Sequence, residues 1–450
     1  VATTLASPAV ERPGLRRLRG HGLPTPTWII ALAMTCAILA VVLGAFVSAV
    51  AGSVREGVRV IGREAAPQVS ATTGLYFALS DMDAQLANVL LAGTDPGLAA
   101  NRQEASDLYQ QRRVEATGDL ERIAAGASDD GSRKAVADIL DRLGRYESLA
   151  GQVTLLNERE GNAAGRPSSA VLQRHREATD LMRDTLHEVH DLTSANQGLL
   201  NQTYQDRQAG ALEARVWLWI IGGLLAAALV ALQVFLRVRL GRRLNPAALL
   251  ATIIVATTVV VGSMDLSREA QDLTVAKANA FDSIVALSQA RAVGYDANAD
   301  ESRYLVDPGR ATQYERSFLD KSQSLVTLTD TEMNNITFAG EREAAEHALA
   351  AFQLYERDDR TIRAKATSGD LRGAIAFCVG STPGNSNYDF GQYDKALIAV
   401  IDINQRAFDE AVSAADGELT GWSDVVPLGV PVAVTVLVAA GVWRRLAEYR

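Results

Sequence analysis

Cysteine is scarce in this chain: Cys36 and Cys378 are the two among 450 residues. Cys36 falls inside a long apolar run, so the two are not expected to meet as a disulfide, and stability has to come from packing. Cys378 reads as a buried small hydrophobe, with a free thiol or an interchain link as the alternatives. No phosphate-cradling glycine loop, nucleophile elbow or Cys-x-x-Cys pair occurs, so no enzyme class, cofactor or metal centre is indicated. The nearest approach is His187-Glu-Val-His190, but the zinc-protease pattern needs histidines four apart on one helix face, and these are three apart. Positive charge is also in short supply, with 44 Lys and Arg against 53 Asp and Glu and a net charge of −9. Nucleic-acid binding is therefore not expected.

What is abundant is apolar sequence, concentrated in four blocks at 28–52, 216–236, 247–263 and 422–443. A helix needs roughly 20 apolar residues to cross the hydrocarbon core, and about 17 can suffice. All five tryptophans, Trp28, Trp217, Trp219, Trp422 and Trp443, sit at block ends, where an amphipathic indole prefers the headgroup region. Four transmembrane helices are expected. A cleaved signal peptide is the rival reading of the first block, but the apolar run exceeds the usual length of about 7–15 residues.

The scarce positive charge is placed where it sets orientation. Residues 1–27 carry +3, the 237–246 connection carries +4 through Arg237, Arg239, Arg242 and Arg243, and 444–450 carry +2, which leaves −18 for the remainder. Short basic segments stay cytoplasmic. The expected plan is a cytoplasmic leader (1–27), an Arg-rich cytoplasmic hinge (237–246) and a cytoplasmic tail (444–450) in the plasma membrane. Two acidic extracytoplasmic segments, 53–215 and 264–421, lie between the spans.

Both external segments read as helical. Leu75, Leu79, Met82, Leu86 and Val89 recur at spacings of three and four, as do Val136, Ile139, Leu143, Tyr146 and Val153. Breaks rich in turn formers fall at 93–97, 126–132 and 162–169, which makes four helices. In the second segment Leu266, Leu273, Ala280, Leu287 and Gly294 keep a seven-residue spacing, and Tyr393, Leu397, Val400 and Asn404 lead back toward the fourth block. Turns appear at 307–310 and near 334–340. The stretch 368–391 is expected to be irregular, with Tyr388, Asp389 and Phe390 as a candidate partner-contact loop. A weak internal repeat pairs "DAQLANVLLAGTDPG" (83–97) with "DANADESRYLVDPG" (296–309). The fold class expected is an all-α membrane protein with two extracytoplasmic antiparallel four-helix bundles, span–bundle–span repeated twice.

Asp424, Pro427 and Pro431 open the fourth span and form a candidate transmembrane hinge, since each proline removes a backbone donor and an ionisable residue at membrane depth is a functional hypothesis. Gly222 and Gly223 leave room for close helix contact in a homodimer, although a Gly-Gly pair is not a dimer motif in itself.

Residues 300–325, "DESRYLVDPGRATQYERSFLDKSQSL", are similar to the first-turn region of helical sensor domains in chemoreceptors and sensor kinases. The whole-chain plan of four spans, two helical external domains and an arginine-rich hinge resembles the actinobacterial GlnX-type membrane signalling family. That resemblance implies a relay of external amino-acid availability. It implies as partners a glutamine-binding-type solute-binding lipoprotein outside and the Ser/Thr protein kinase G inside, and it carries no binding residue with it. The short cytoplasmic parts agree with an output passed to a separate protein. A direct small-ligand receptor and an envelope scaffold or transporter accessory are the alternative functions; a transporter itself is not expected from spans with so little internal polarity.

Overall fold

The computed structural model describes residues 25–127, 129–240 and 245–446, which are helical almost throughout, with no strand among them. Helix α1 (Thr25–Arg59) passes through a π-helical segment (Val60–Ala65) into α2 (Ala66–Ala92), followed by α3 (Ala99–Gly126), α4 (Asp130–Glu160) and α5 (Ser169–Leu240). A second series follows: α6 (Pro246–Thr274), a π-helical segment (Val275–Phe281), α7 (Asp282–Val306), α8 (Ala311–Asn335), α9 (Glu341–Thr367), α10 (Leu371–Val379) and α11 (Ser386–Leu446).

Local chemistry explains where the helices stop. Asp129 caps α4 by accepting from the Ser132 backbone N–H at 2.9 Å. Gly161 ends it in the left-handed conformation, at φ 63°, which costs a glycine little. The two Asp-Pro-Gly turns close alike: Leu98 N donates to the Asp95 carbonyl at 3.0 Å, and Arg310 N to the Asp307 carbonyl at 3.0 Å. The internal repeat thus appears as geometry, and a π-helical segment precedes α2 and α7 in both series.

The described residues fall into two compact units. The apolar unit draws on Val1–Ala49, Val216–Ser263 and Ser423–Arg450. Four helices hold stretches long and apolar enough to cross a membrane, within Pro26–Ala92, Ser169–Val238, Pro246–Val306 and Val425–Trp443. They coincide with the four apolar blocks. Within this unit Trp28, Met34, Ile38, Trp217, Trp219 and Leu224 are all exposed, an apolar surface far larger than a water-facing one tolerates. Polar groups bond between helices. Trp219 Nε1 donates to Ser263 Oγ at 3.1 Å, Gln233 Nε2 to Thr252 Oγ1 at 3.0 Å, and Asn245 Nδ2 to the Gly441 carbonyl at 3.1 Å. These features mark the chain as a membrane protein.

The polar unit comprises Val50–Arg215 and Met264–Trp422. One core gathers the inward faces of α2, α3, α4 and α5, including Leu79, Leu120, Ile139 and Met182. A second gathers α7, α8, α9 and α11 through Leu287, Phe318, Phe352 and Leu397. A third joins the two series around their π-helical segments, with Ile61, Ala280, Phe281 and Phe408.

Two expectations change here. The sequence pattern points to two separate bundles, whereas both segments belong to one compact unit because α2 packs along α7. In a lone four-helix bundle the outer face of the first helix meets water; in α2 every residue from Phe77 to Ala92 is buried. Small residues permit the approach, with Ala78, Ala84 and Ala87 on α2 and Ala290, Ala297 and Ala299 on α7 all buried. The second change concerns 368–391, which is largely helical. Asp370 caps α10 by accepting from Gly373 N at 2.9 Å, and Ala374, Ile375, Cys378 and Val379 recur on one face that joins the core of the first series. The apolar run is α10, and α11 already begins at Ser386.

The halves also clasp each other at their turns. Arg176 of α5 donates from Nε to Asp307 Oδ2 at 2.7 Å, and Arg372 of α10 reaches Asp95 Oδ2 at 3.2 Å. Each Asp-Pro-Gly turn is therefore held by an arginine from the other series.

Candidate functional site

Between the two series of the polar unit lies a cavity of about 350 Å³, walled by α2, α3, α7, α11 and the chain between α10 and α11. Its construction begins with an anomaly on α2. A helix buried on every side is expected to be apolar all round, yet Asp81, Gln85 and Asn88 fall at i, i+4 and i+7 on one face and line the cavity. From α7 come Tyr295 and Asn298.

Buried polar groups are costly unless bonded, and these form a connected series. Arg112 Nε of α3 donates to Asp81 Oδ2 at 2.5 Å, and Gln85 Nε2 donates to Asp81 Oδ1 at 2.6 Å. Asn88 Nδ2 donates to Gln85 Oε1 at 3.2 Å, and Ser302 Oγ of α7 donates to Asn88 Oδ1 at 2.6 Å. The network crosses from one half to the other at that last bond. Elsewhere in the lining Asn298 Nδ2 donates to Asn387 Oδ1 at 3.2 Å, and Asn101 Nδ2 of α3 donates to the Val379 carbonyl at 2.7 Å.

Aromatic rings carry the same connection inward. Two guanidinium groups approach the Phe77 ring, Arg112 at 4.6 Å and Arg291 at 3.9 Å from its centre. Tyr295 stacks edge-on against both Phe77 and Phe390, each at 4.8 Å. Its hydroxyl donates to Asp394 Oδ2 at 3.1 Å, and Arg291 Nη2 donates to the same oxygen at 3.0 Å. A group entering the cavity would touch residues that belong to both series at once.

Charge here is held by pairing. Burial pushes the Asp81 carboxyl above its usual range, while the adjacent Arg112 pulls in the other direction. Burial works against the Arg112 charge, but Asp81 and Glu115 beside it keep it firmly protonated. Beyond the cavity wall, Arg303 joins Asp83, Asp300 and Asp296 in a buried cluster. Tyr146 donates to Asp83 Oδ1 at 3.0 Å. His175 is fully buried nearby, and burial pushes its imidazole down to about 4, so the ring is neutral.

The residues singled out in the sequence are scattered. Tyr388 is half-buried and lines the cavity, and Phe390 packs into the core against Tyr295 and Tyr355. Asp389 is buried, with Asp358 of α9 beside it. All three sit in the first turns of α11, so they do not form a loop. Pro427 and Pro431 lie inside α11 in the apolar unit, where the Pro427 carbonyl and the Pro431 ring abut Gly44 of α1. Arg237 is exposed at the end of α5. The side chains of Arg239 and Asp424, and the whole of Arg242 and Arg243, lie outside the described residues. His187 and His190 are exposed, and Glu188 between them pairs with Arg142 at 2.9 Å. Among the described residues no group of three His, Cys, Asp or Glu side chains is placed to hold a metal ion.

The cavity residues of α2 and α7 escape a search for apolar stripes because they occupy the complementary face. They fall within or next to the two repeated stretches 83–97 and 296–309, and that correspondence is the available signal.

Residues 57–205 match the family model described as the actinobacterial sensor domain. The matched segment takes in the first π-helical segment, α2, α3, α4 and the first part of α5, so it supplies one wall of the cavity. With four helices of membrane-spanning length, the match supports an actinobacterial sensor membrane protein. No curated protein and no solved structure matches the chain.

Proposed function

We propose that the protein is a non-enzymatic transmembrane relay that couples extracytoplasmic amino-acid availability to a cytoplasmic Ser/Thr protein kinase. The observation that carries the sensing part is the sensor-domain match over 57–205. The amino-acid input, delivered by a glutamine-binding-type lipoprotein, and the kinase output follow the GlnX-type resemblance of the whole-chain plan. In this reading the acidic polar unit faces outward, and the basic connection with Arg237, Arg239, Arg242 and Arg243 faces the cytoplasm, following the positive-inside rule. Helices α1, α5, α6 and α11 contribute residues to both units. A slide or tilt of packed helices is the kind of motion such elements carry between distant sites.

The test is cross-linked affinity purification of the tagged chain from its own membranes, with and without glutamate or aspartate, read by mass spectrometry. Recovery of a solute-binding lipoprotein that changes with the amino acid supports the input, and co-recovery of a Ser/Thr kinase supports the output. Recovery of wall-assembly or secretion proteins instead would favour an envelope scaffold.

A second reading, a direct small-ligand receptor, is favoured by one specific observation: the polar cavity shared by the two series.

A further inference from the structure

The cavity lining narrows what could occupy it. Its volume of about 350 Å³ lies at the lower end of the range for small-molecule pockets, about 300–1,000 Å³. The charged side chains on its wall are Asp81 and Glu104 on one sign and Arg112 and Lys395 on the other, so the lining is neutral overall. A net-neutral lining gives no field that concentrates a simple anion or cation.

Of these four, Asp81 and Arg112 are joined to each other at 2.5 Å. Glu104 of α3 and Lys395 of α11 are exposed, come from different halves and line the same space. The remaining polar lining is mainly carboxamide, which can both donate and accept. Asn101 uses its amide on Val379, so its oxygen remains as an acceptor; Asn387 is engaged through its oxygen, so its amide remains as a donor.

From this we infer that the cavity binds a small zwitterion of the free amino-acid class, its ammonium group taken by Glu104 and its carboxylate by Lys395, with the carboxamides fixing its orientation. A polyol would use the carboxamides but neither charge. A dicarboxylate would use Lys395 and be repelled by Glu104. Because Glu104 belongs to the half that contains the sensor-domain match and Lys395 to the other, a zwitterion bridges the two series. Its binding free energy therefore bears on how closely they sit, which is what a relay requires of its input. The inference rests on the sensing reading above and makes the chain itself a point of amino-acid contact.

The experiment uses the purified full chain in lipid nanodiscs. The standard free L-amino acids are tested one at a time by thermal shift and calorimetry, with succinate and glucose as controls. At least one amino acid is expected to bind, and Glu104→Gln and Lys395→Gln are each expected to weaken it by about tenfold or more, the usual cost of losing a charged hydrogen bond. Both positions are exposed, so the unliganded melting temperature should stay within a degree or so of the parent. Absence of binding by every amino acid, equal binding of glucose or succinate, or affinity unchanged in both variants would overturn the inference.

The same variants, carried through the cross-linking assay, separate the two failures. If no amino acid binds the purified chain but lipoprotein recovery still responds to glutamate, the cavity assignment falls and the sensing reading stands. If recovery is unresponsive as well, both fall.

Discussion

Arg303 of α7 donates from Nη2 to Asp83 of α2, 220 positions earlier in the chain, with 5% and 0% of their side chains exposed. The same guanidinium reaches Asp300 at 2.6 Å and Asp296 at 3.2 Å, and Lys321 shares the last two carboxylates at 2.6 Å each. Removing one member of a buried ion pair is costly because the other charge stays buried without compensation, typically by about 3–5 kcal/mol. Arg303→Met is therefore expected to destabilise the polar unit by about that amount, read as a lowered denaturation midpoint of the full chain in detergent. The double variant Arg303→Met with Asp83→Leu should recover part of the loss, since no unpaired charge remains at Asp83. Additive losses would mean that the two residues do not act as a pair.

The reciprocal clasps at the Asp-Pro-Gly turns make a contrast of unequal members. Asp307 is fully buried and receives two bonds from Arg176, whereas Arg372 is 81% exposed where it meets Asp95. Exposed pairs contribute about 0–1 kcal/mol, while losing a charged bond to a buried acceptor costs about 1.5–3 kcal/mol. Arg176→Ala should lower the melting temperature clearly and Arg372→Ala barely. Equal effects would contradict the burial argument.

Asp358 of α9 supplies a pH dependence. Burial, then the hydrogen bond and charge of Asp389, raise its carboxyl from the ordinary 3.8 to about 7. The folded state thus keeps a proton that the unfolded chain releases near pH 4. The resulting stabilisation is full below that point and is lost as pH rises toward about 7. Glu332 of α8, raised to about 7 by burial and then by Glu341, acts in the same direction. The buried His175, pushed down to about 4 from 6.5, acts in the opposite direction. In the unfolded chain the ring is half charged at pH 6.5 and neutral only about one unit higher, so from pH 6.5 to about 8 its residual gain offsets part of the fall that the carboxyls produce. Asp358→Asn combined with Glu332→Gln should flatten that fall; a melting profile that keeps its slope would remove both groups as its source.

Much of this architecture is legible in the amino-acid sequence. Asp129 and Gly161 sit in or beside breaks that composition alone marks, and the apolar blocks are the four helices of membrane-spanning length. Seven-residue positions such as Ala280, Leu287 and Gly294 are buried. What stayed hidden was the packing of α2 on α7, because a periodicity search weights apolar side chains and treats Asp81, Gln85 and Asn88 as the solvated face. Burial on that face depends on a partner some 200 residues away, which no local pattern contains. Likewise the run Leu371–Val379 behind its cap Asp370 forms a nine-residue helix, too short for its period to separate it from an apolar loop.

The orientation proposed above rests on Arg237, Arg239, Arg242 and Arg243. Replacing all four with glutamine should give mixed or inverted insertion, read by reporter fusions placed in the polar unit and after the fourth span. Orientation unchanged from the parent would show that the basic connection does not set it.

In the apolar unit, Gly44 of α1 approaches α11 so closely that an added methyl group would lie 2.4 Å from the Pro427 carbonyl oxygen and 2.5 Å from the Pro431 ring. Pro431 has no N–H to return to that carbonyl four residues earlier, so the carbonyl lacks its usual helical donor where Gly44 lets the neighbouring backbone come near. Gly44→Ala meets a backbone atom and a rigid ring, neither of which can swing away, and overpacking of this kind costs about 1–3 kcal/mol. Gly223→Ala, with nothing within 4 Å of the new methyl, is the matched control, and its melting temperature should hold or rise slightly because alanine favours a helix interior over glycine. If Pro427 and Pro431 serve as a hinge, Pro431→Ala restores the missing bond and stiffens α11. The melting temperature then holds or rises while the glutamate-dependent change in partner recovery shrinks. A response of undiminished size in Pro431→Ala would leave the prolines as packing features of the fourth span.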